Sequence, residues 1–342
     1  MKTRVYITID TECAEERGAS APVLGWDVRV WGRFANQRRA LGIELIMEEL
    51  ARHGTKATFF TEALGSAYFG EAELARACAA MVRDGHDVQL HTHPRQARAN
   101  YRSLGVPPES DDLADYAVAV QTELLLRGKA ILARCGVPVE SLLAFRAGNY
   151  GANNATWAAM AGAGLVVSSN YNPCYFDKNC KMRTDHASAG LFPSPVSGVW
   201  ELPISTFVEG SGQHRHAQIT AISTGEIRAL LDDAHAAGVG EITIVTHSFE
   251  LYHVDSPTHG RPNTMNVLRL RALCRYLAEH RERFEVDTVG ALARRIATGA
   301  EHPRTATLPP LRGHGRKKLV RLVEQTFKRI EARARWLPGV IA

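Results

Sequence analysis

Two short segments hold the residues of this sequence best suited to chemistry. Asp10-Thr11-Glu12 follows the β-branched and aromatic run TRVYITI, and His91-Thr92-His93 closes the stretch GHDVQLHTH. In extended chain, residues two apart point to the same side, so each segment can aim both of its polar side chains at one centre. Two carboxylates and two imidazoles meeting there suit a borderline divalent ion, typically zinc with one position left to water. The spacing puts Asp10 and Glu12 on one face, and leaves open which of them holds the ion and which serves as base. Two further segments carry groups that such a centre would use. Phe145-Arg146-Ala147-Gly148-Asn149-Tyr150-Gly151 brings an arginine that can orient a carboxylate, with glycines that let backbone N–H groups approach an oxyanion. Thr246-His247-Ser248 offers a histidine as general acid. Plainer readings exist for each: a solvated loop or helix cap for the acids, coincidence for the paired histidines, a structural ion pair for Arg146, and a core imidazole for His247.

These four stretches need a scaffold that brings them together. Residues 3–10 read as a strand ending in carboxylates, and Leu41, Leu45, Ile46 and Leu50 predict a helix over 37–53 that Gly54 stops. The strand KATFFT follows, then helix 71–84 closed by Gly85, strand 86–91, helix 112–135 closed by Gly136, strand 141–146, helix 153–163 and strand 165–169. Periodicity fails between Asn170 and Gly198, a long excursion of the kind that usually serves a site. Beyond it come strand 199–204, a Gly-rich loop around Gly210 and Gly212, helix 224–238 opened by a Ser223/Glu226 capping box, strand 241–247, helix 263–283, strand 284–286 and helix 289–297. About eight strands thus alternate with helices or long loops, and no GxGxxG follows any of them, so the α/β fold expected over residues 1–300 is a distorted or incomplete (β/α) barrel. Active sites of such barrels lie where the strands end, which is where all four segments fall.

The order and content of these motifs resemble the polysaccharide deacetylases related to the nodulation deacetylase, carbohydrate esterase family 4, over roughly residues 3–296. The resemblance implies Asp10 as the base and Glu12, His91 and His93 as ligands of one divalent ion, zinc first, with nickel, cobalt or manganese as alternatives. It implies Arg146 as the group that holds the base, a backbone amide of the Gly148, Asn149, Tyr150 turn for the oxyanion, and His247 as the acid. Three departures stand out. Thr11 separates carboxylates that the family has adjacent, Arg95 occupies the family's usual second-histidine position so that His93 takes its role, and the 170–198 segment has no clear match to the Asp motif that positions the acid histidine. Patterns of the DxE and HxH type occur among deacetylase-like proteins of surface-polysaccharide clusters, including O-antigen biosynthesis. The activity implied is removal of an N-acyl group, acetyl first, from an amino sugar that is nucleotide-linked, lipid-linked or part of a polymer. The alternatives are a deacylase or deformylase of a non-polymer amide, a histidine-rich phosphoesterase, and a sugar-binding module that has lost catalysis.

Composition bounds the remainder. In 342 residues, 45% hydrophobic and 23% charged, there is ample material for a core, and wholesale disorder or a collagenous chain is excluded. No stretch approaches the ~20 apolar residues needed to span a bilayer, and the first residues read as a strand, so neither a secretion signal nor a membrane anchor is expected and the cytoplasm is the expected compartment. The six cysteines form no CxxC pair and are expected as free thiols. Net charge is +5, but residues 312–342 hold nine Lys/Arg against two Glu, a net of +7 that leaves −2 for residues 1–311 and no basic excess for nucleic acid. His214 and His216 read as part of an exposed loop, His253 and His259 as loop residues within reach of a substrate or facing solvent, and Trp26, Trp31 and Tyr171 as either sugar-stacking or packed residues. Residues 301–342 read as a linker and a basic amphipathic helix over 316–335, with Leu319, Leu322, Val323, Phe327 and Ile330 at helical spacing. That apolar stripe is expected to pack on the barrel or a second subunit, the competing expectation being peripheral contact with the anionic inner face of a membrane.

Overall fold

Buried along nearly its whole length, β1 (Thr3–Thr11) sits inside a curled sheet. The computed structural model describes residues 2–14, 24–97, 110–176, 178–301, 308 and 310–333. The other strands are β2 (Thr58–Glu62), β3 (Asp87–Thr92), β4 (Ala144–Ala147), β5 (Val167–Ser168), β6 (Phe192–Pro193), β7 (Trp200–Glu201), β8 (Thr206–Val208), β9 (His214–His216), β10 (Glu241–His247), β11 (Tyr252–Ser256), β12 (His259–Pro262), β13 (Phe284–Asp287) and β14 (Leu311–Arg312). The main sheet runs β10-β1-β2-β3-β4-β5-β7-β6, with β13 also on β1. Its neighbours are parallel apart from the antiparallel β6–β7 pair. Because β10 follows one edge of β1 from Arg4 to Asp10, β13 and β2 divide the other, β13 taking Thr3–Tyr6 and β2 taking Thr8–Thr11. The outer edge of β10 is covered not by β6 but by irregular chain, through Ser205 N–H to Thr243 O (3.3 Å), Val245 N–H to Ala217 O (2.8 Å) and Ile219 N–H to Val245 O (3.0 Å). The barrel is therefore incomplete, as expected.

The helices are α1 (Ile43–Ala51), α2 (Ser66–Phe69), α3 (Glu71–Arg83), α4 (Val118–Arg134), α5 (Asn154–Gly162), α6 (Thr224–Ala236), α7 (Thr264–Glu279), α8 (Val289–Ala297) and α9 (Gly315–Arg333). The expected Ser223/Glu226 capping box forms at the start of α6. The helix expected from residue 37 begins only at Ile43, because the preceding chain folds back on a π-helical turn, Trp26–Trp31, through Leu41 N–H to Gly32 O (3.0 Å) and Gly42 N–H to Trp31 O (2.9 Å). Likewise α4 starts at Val118, after a 3₁₀ turn over Leu113–Asp115 that is tied to the site by Ala114 N–H on Gly151 O (2.8 Å).

Alternation along β1 sends Tyr6, Thr8 and Asp10 to one side and Val5, Ile7 and Ile9 to the other. Tyr6 joins Phe60, Ala144, Val167 and Leu202 with Val289, Leu292 and Ala293 of α8 in a small apolar cluster inside the curl, while the larger core lies between sheet and outer helices. The interior is thus packed near the N-terminal ends of the strands, and Asp10 emerges at the opposite rim.

Some expectations are corrected. His214 and His216 are not an exposed loop: they form β9, paired with β8, and burial pushes the His216 imidazole down to about 4. His253 and His259 lie on the β11–β12 hairpin, the first half-buried and the second exposed. Trp26, Trp31 and Tyr171 are buried, the last against Phe176 and Phe192, so they pack rather than stack on a sugar. The six cysteines are free, all buried except the half-buried Cys174. The C-terminal helix exists, but its apolar stripe does not pack on the barrel: Leu319, Leu322, Val323, Phe327 and Ile330 are exposed, and the charged side of the helix faces the body. Arg335 lies outside the described residues. Among those residues no helix is long and apolar enough to cross a membrane.

Candidate metal centre and active site

Strand register assembles the four sequence segments on one rim. Asp10 pairs with His247 across β1 and β10, Glu62 with His91 across β2 and β3, and His91 with Arg146 across β3 and β4. Ser248 N–H donates to Asp10 O (3.0 Å), pinning the ends of β1 and β10 together.

Glu12, His91 and His93 form a group whose ligand atoms all lie within 4.8 Å of one another, and all three are buried. Glu12 Oε2 is 3.4 Å from His91 Nε2 and 2.5 Å from His93 Nε2. The first separation is close to the edge of a tetrahedron with ligand distances of about 2.1 Å, roughly 3.4 Å. The opposite ring nitrogens are both engaged: His91 Nδ1–H donates to Arg146 O (2.8 Å) and His93 Nδ1–H to Asp111 Oδ2 (2.8 Å). Such outer hydrogen bonds orient both rings with Nε2 toward Glu12, as metal-binding histidines require. The donor set fits a divalent ion. Burial works against the charge of Glu12, yet His93 and His91 hold its carboxyl well below the usual range. Burial likewise disfavours a charged His93, but Glu12 and Asp111 raise its pKa well above that of a free imidazole. Arg95, at the position of the family's usual histidine, lies on the 3₁₀ turn Pro94–Ala97 outside this group.

Asp10 has different neighbours. Its Oδ1 accepts from Nη1 of the fully buried Arg146 (2.6 Å), and its Oδ2 is 3.9 Å from His247 Nε2. Arg146 is itself fixed by Ser169, donating from Nε to its carbonyl (3.2 Å) and from Nη2 to its hydroxyl (3.0 Å), and its guanidinium lies over Phe60. The two carboxylates that share a face in the sequence thus separate, Glu12 toward the imidazoles and Asp10 between an arginine and a histidine.

His247 is oriented by Glu250, which sequence reasoning did not single out. Nδ1–H donates to Glu250 Oε1 (3.0 Å), while Glu250 also accepts from Thr246 Oγ1 (2.8 Å), His247 N–H (3.2 Å) and Gln218 Nε2 (2.5 Å). Burial lowers the His247 pKa, but Glu250 and then Asp10 outweigh it and carry it to about 9. Burial opposes the charge on Glu250 too, and His247 keeps its carboxyl below the usual range. A carboxylate three residues after the histidine thus orients it. The spacing His247 to Glu250 was the available signal.

The turn after β4 brings the remaining expected residues to the rim. Gly148 packs directly on His93: a Cβ there would lie 2.5 Å from its Nδ1 and 2.6 Å from its Nε2. Asn149 (φ 57°) and Tyr150 (φ 56°) both adopt the left-handed region, and Asn149 Nδ2 donates to Asp111 Oδ2 (3.1 Å). Asp111 therefore ties the turn to His93, and no local motif marked it. Glu62, at the end of β2, is a further buried acid beside this group, raised to about 7 by burial and bonded by the N–H groups of Leu64 (2.8 Å) and Gly65 (2.9 Å). His86, at the start of GHDVQLHTH, lies away from the rim, accepting from Ala57 N–H (3.3 Å) and held neutral by burial.

The sequence matches no family model and no curated protein. Among solved structures it is similar to a provisionally assigned polysaccharide deacetylase from Mycobacterium smegmatis, with 18% identity, 79% of this chain and 82% of that one covered, and a TM-score of 0.47. It is also similar to a peptidoglycan deacetylase from Bacillus subtilis (10% identity, 87% and 93% covered, TM-score 0.39) and to a family 4 carbohydrate esterase from Streptomyces lividans solved with acetate (14% identity, 81% and 88% covered, TM-score 0.37). What this chain shares with structures that carry the names polysaccharide deacetylase, peptidoglycan deacetylase and family 4 carbohydrate esterase is the fold.

Proposed function

We propose that this protein is a metal-dependent amide hydrolase that removes an N-acyl group, acetyl first, from an amino sugar in surface-polysaccharide or O-antigen synthesis. The observation that carries this reading is the adjacency, on one rim, of a Glu-His-His group and a separate Asp-Arg-His set. Glu12, His91 and His93 would hold one divalent ion, zinc first, which when bound supplies Lewis-acid polarisation of the amide carbonyl and makes water a better nucleophile near neutral pH. Asp10, kept in place by Arg146, takes the proton of the attacking water. A backbone N–H of the Gly148, Asn149, Tyr150 turn donates to the oxyanion as it forms. His247, held protonated by Glu250, gives a proton to the departing amine, which is too poor a leaving group to depart as an anion. The amino sugar is nucleotide-linked, lipid-linked or polymeric, the enzyme acts in the cytoplasm, and α9 gives it contact with a second subunit or an anionic membrane.

The test is acyl release from a panel of nucleotide-linked and lipid-linked N-acetyl and N-formyl amino sugars, with metal analysis of the same preparations. Asp10→Asn and His247→Ala should each lower turnover by roughly 10²-fold or more at unchanged metal content. Full turnover in either variant removes that residue from the mechanism. A protein that holds no stoichiometric metal and releases nothing from any member of the panel is a sugar-binding module instead.

A further inference from the structure

The contact between α9 and the body is made by charge. Arg321 donates from Nη1 to Glu226 Oε1 (2.9 Å) and from Nη2 to Glu209 Oε1 (2.6 Å), and all three side chains are buried. Glu324 accepts from Arg269 Nε (2.8 Å), and Glu331 Oε1 accepts from Thr264 N–H (2.9 Å) at the start of α7. At about 100° per residue these positions share one stripe of the helix, and the opposite stripe is apolar. Leu319, Val323 and Phe327 are each 65% exposed there, with Leu322, Ile330 and Val320 beside them at 49%, 54% and 47%. Among the described residues this single helix holds six of the thirteen large apolar side chains that are exposed. Arg329 is exposed along one border of the apolar face, and Lys318 beside it donates from Nζ to Glu209 Oε2 (3.3 Å).

Charge decides between the two surfaces that could cover such a face. A second copy would set two basic segments against each other, each +7 over residues 312–342, whereas an anionic lipid surface accepts the apolar stripe and neutralises the lysines and arginines beside it. We propose that α9 is an in-plane membrane helix, its apolar face sunk at the boundary of headgroups and acyl chains of an anionic leaflet and Arg329 reaching up to the phosphates. It also lies close behind the rim. Arg269, which holds Glu324, donates to the carbonyls of Ile219 (3.0 Å) and Thr220 (3.4 Å), and the neighbouring Gln218 side chain is bonded to Glu250. Asn266 of α7 donates from Nδ2 to Glu250 O (2.7 Å), so the element on which the end of α9 rests is also fixed to the partner of His247. A membrane-seated α9 therefore sets the catalytic rim beside the headgroup layer. This inference is independent of the deacylation reading, which the acyl-release panel tests in solution.

The experiment is sedimentation of the full chain with vesicles of phosphatidylcholine alone or mixed with phosphatidylglycerol, at low and high salt. Two variants accompany it, Val323→Glu with Phe327→Glu on the apolar face and Arg329→Gln at its border, all at exposed positions so that the thermal midpoint is expected to hold. The intact chain should bind the anionic vesicles, be released by salt, and bind at least roughly tenfold more weakly to neutral ones, and the apolar-face variant should lose about tenfold or more in affinity and Arg329→Gln about fivefold. A chain that ignores anionic vesicles at low salt, or binds them equally well after Val323→Glu with Phe327→Glu, overturns the proposal. Concentration-dependent dimers that this variant dissolves, without vesicle binding, would give the face to a second copy.

Discussion

At His247 the neighbour that matters most is Glu250. With that carboxylate in place the imidazole stays protonated up to about 9, so an activity that needs His247 as an acid should fall as pH rises through that value. Glu250→Gln keeps the shape and removes the charge, leaving burial as the dominant influence on the ring, and burial favours the neutral form. The alkaline limb of the pH profile should therefore move down, to or below the ordinary imidazole range, with metal content unchanged; an unmoved limb would mean that another group sets it. Asp111 stands to His93 as Glu250 stands to His247, but its effect should appear in metal affinity. Asp111→Asn is expected to weaken divalent-ion binding by roughly 10- to 100-fold in a competitive chelator titration, as losses of such outer partners do. Equal affinity in that variant would show that the orientation of His93 comes from packing alone.

The turn after β4 illustrates how an element's conformation serves neighbours rather than itself. Two consecutive non-glycine residues in the left-handed region cost on the order of 1–3 kcal/mol each, and Asn149 and Tyr150 hold that conformation where the chain must pass His93 and Asp111 closely. Gly148 has no left-handed backbone of its own, so its lack of a side chain matters through space, against the His93 ring. At an open position Gly→Ala commonly stabilises slightly by restricting the unfolded chain. Here the added methyl must displace an imidazole that is already bonded at Nδ1. Gly148→Ala is therefore expected to lower the thermal midpoint, at about 1–3 kcal/mol of overpacking, and to reduce metal occupancy in the same preparation. A midpoint at or above that of the natural sequence would show that the turn gives way freely.

Over the whole molecule, α9 is joined to the body by buried charge, and that makes the junction sensitive to acid. Burial raises the Glu209 pKa, but Arg321 and Arg215 outweigh it and bring it down to about 2. A carboxylate whose folded pKa is depressed stabilises the folded form above its unfolded value, ~4.3 for glutamate, and that contribution is lost as pH falls through the unfolded and then the folded value. Residues 315–333 should therefore lose hydrogen-exchange protection between about pH 4 and pH 2 ahead of β1 and β10, which rest on apolar burial. Arg321→Met leaves Glu226 buried without its cation and Glu209 with only Arg215 and Lys318, costs about 3–5 kcal/mol, and should free α9 already near neutral pH. If α9 and β1 lose protection together at every pH, the helix is part of one cooperative unit and the charged junction is not its weak point.

The alternation of apolar and polar residues was enough to identify β1, β3, β4 and β10 and to place Asp10, His91, Arg146 and His247 at their ends, because side-chain period and strand polarity are local properties of a chain. Caps were local too, as the Ser223/Glu226 box shows. Two residues on one face, however, need not share a partner. Register between β1, β3, β4 and β10 divided Glu12 from Asp10, since only the neighbouring strands determine which charge each carboxylate meets. The same holds for Asp111 and Glu250, whose roles come from approaching imidazoles on other chain segments or across a turn. For α9 helical spacing disclosed an apolar stripe and a charged one, but not which would face the body. Glu209, Glu226 and Arg269, distant in sequence, present buried charge at the docking surface, and leaving those groups unpaired would cost more than leaving the apolar stripe in water.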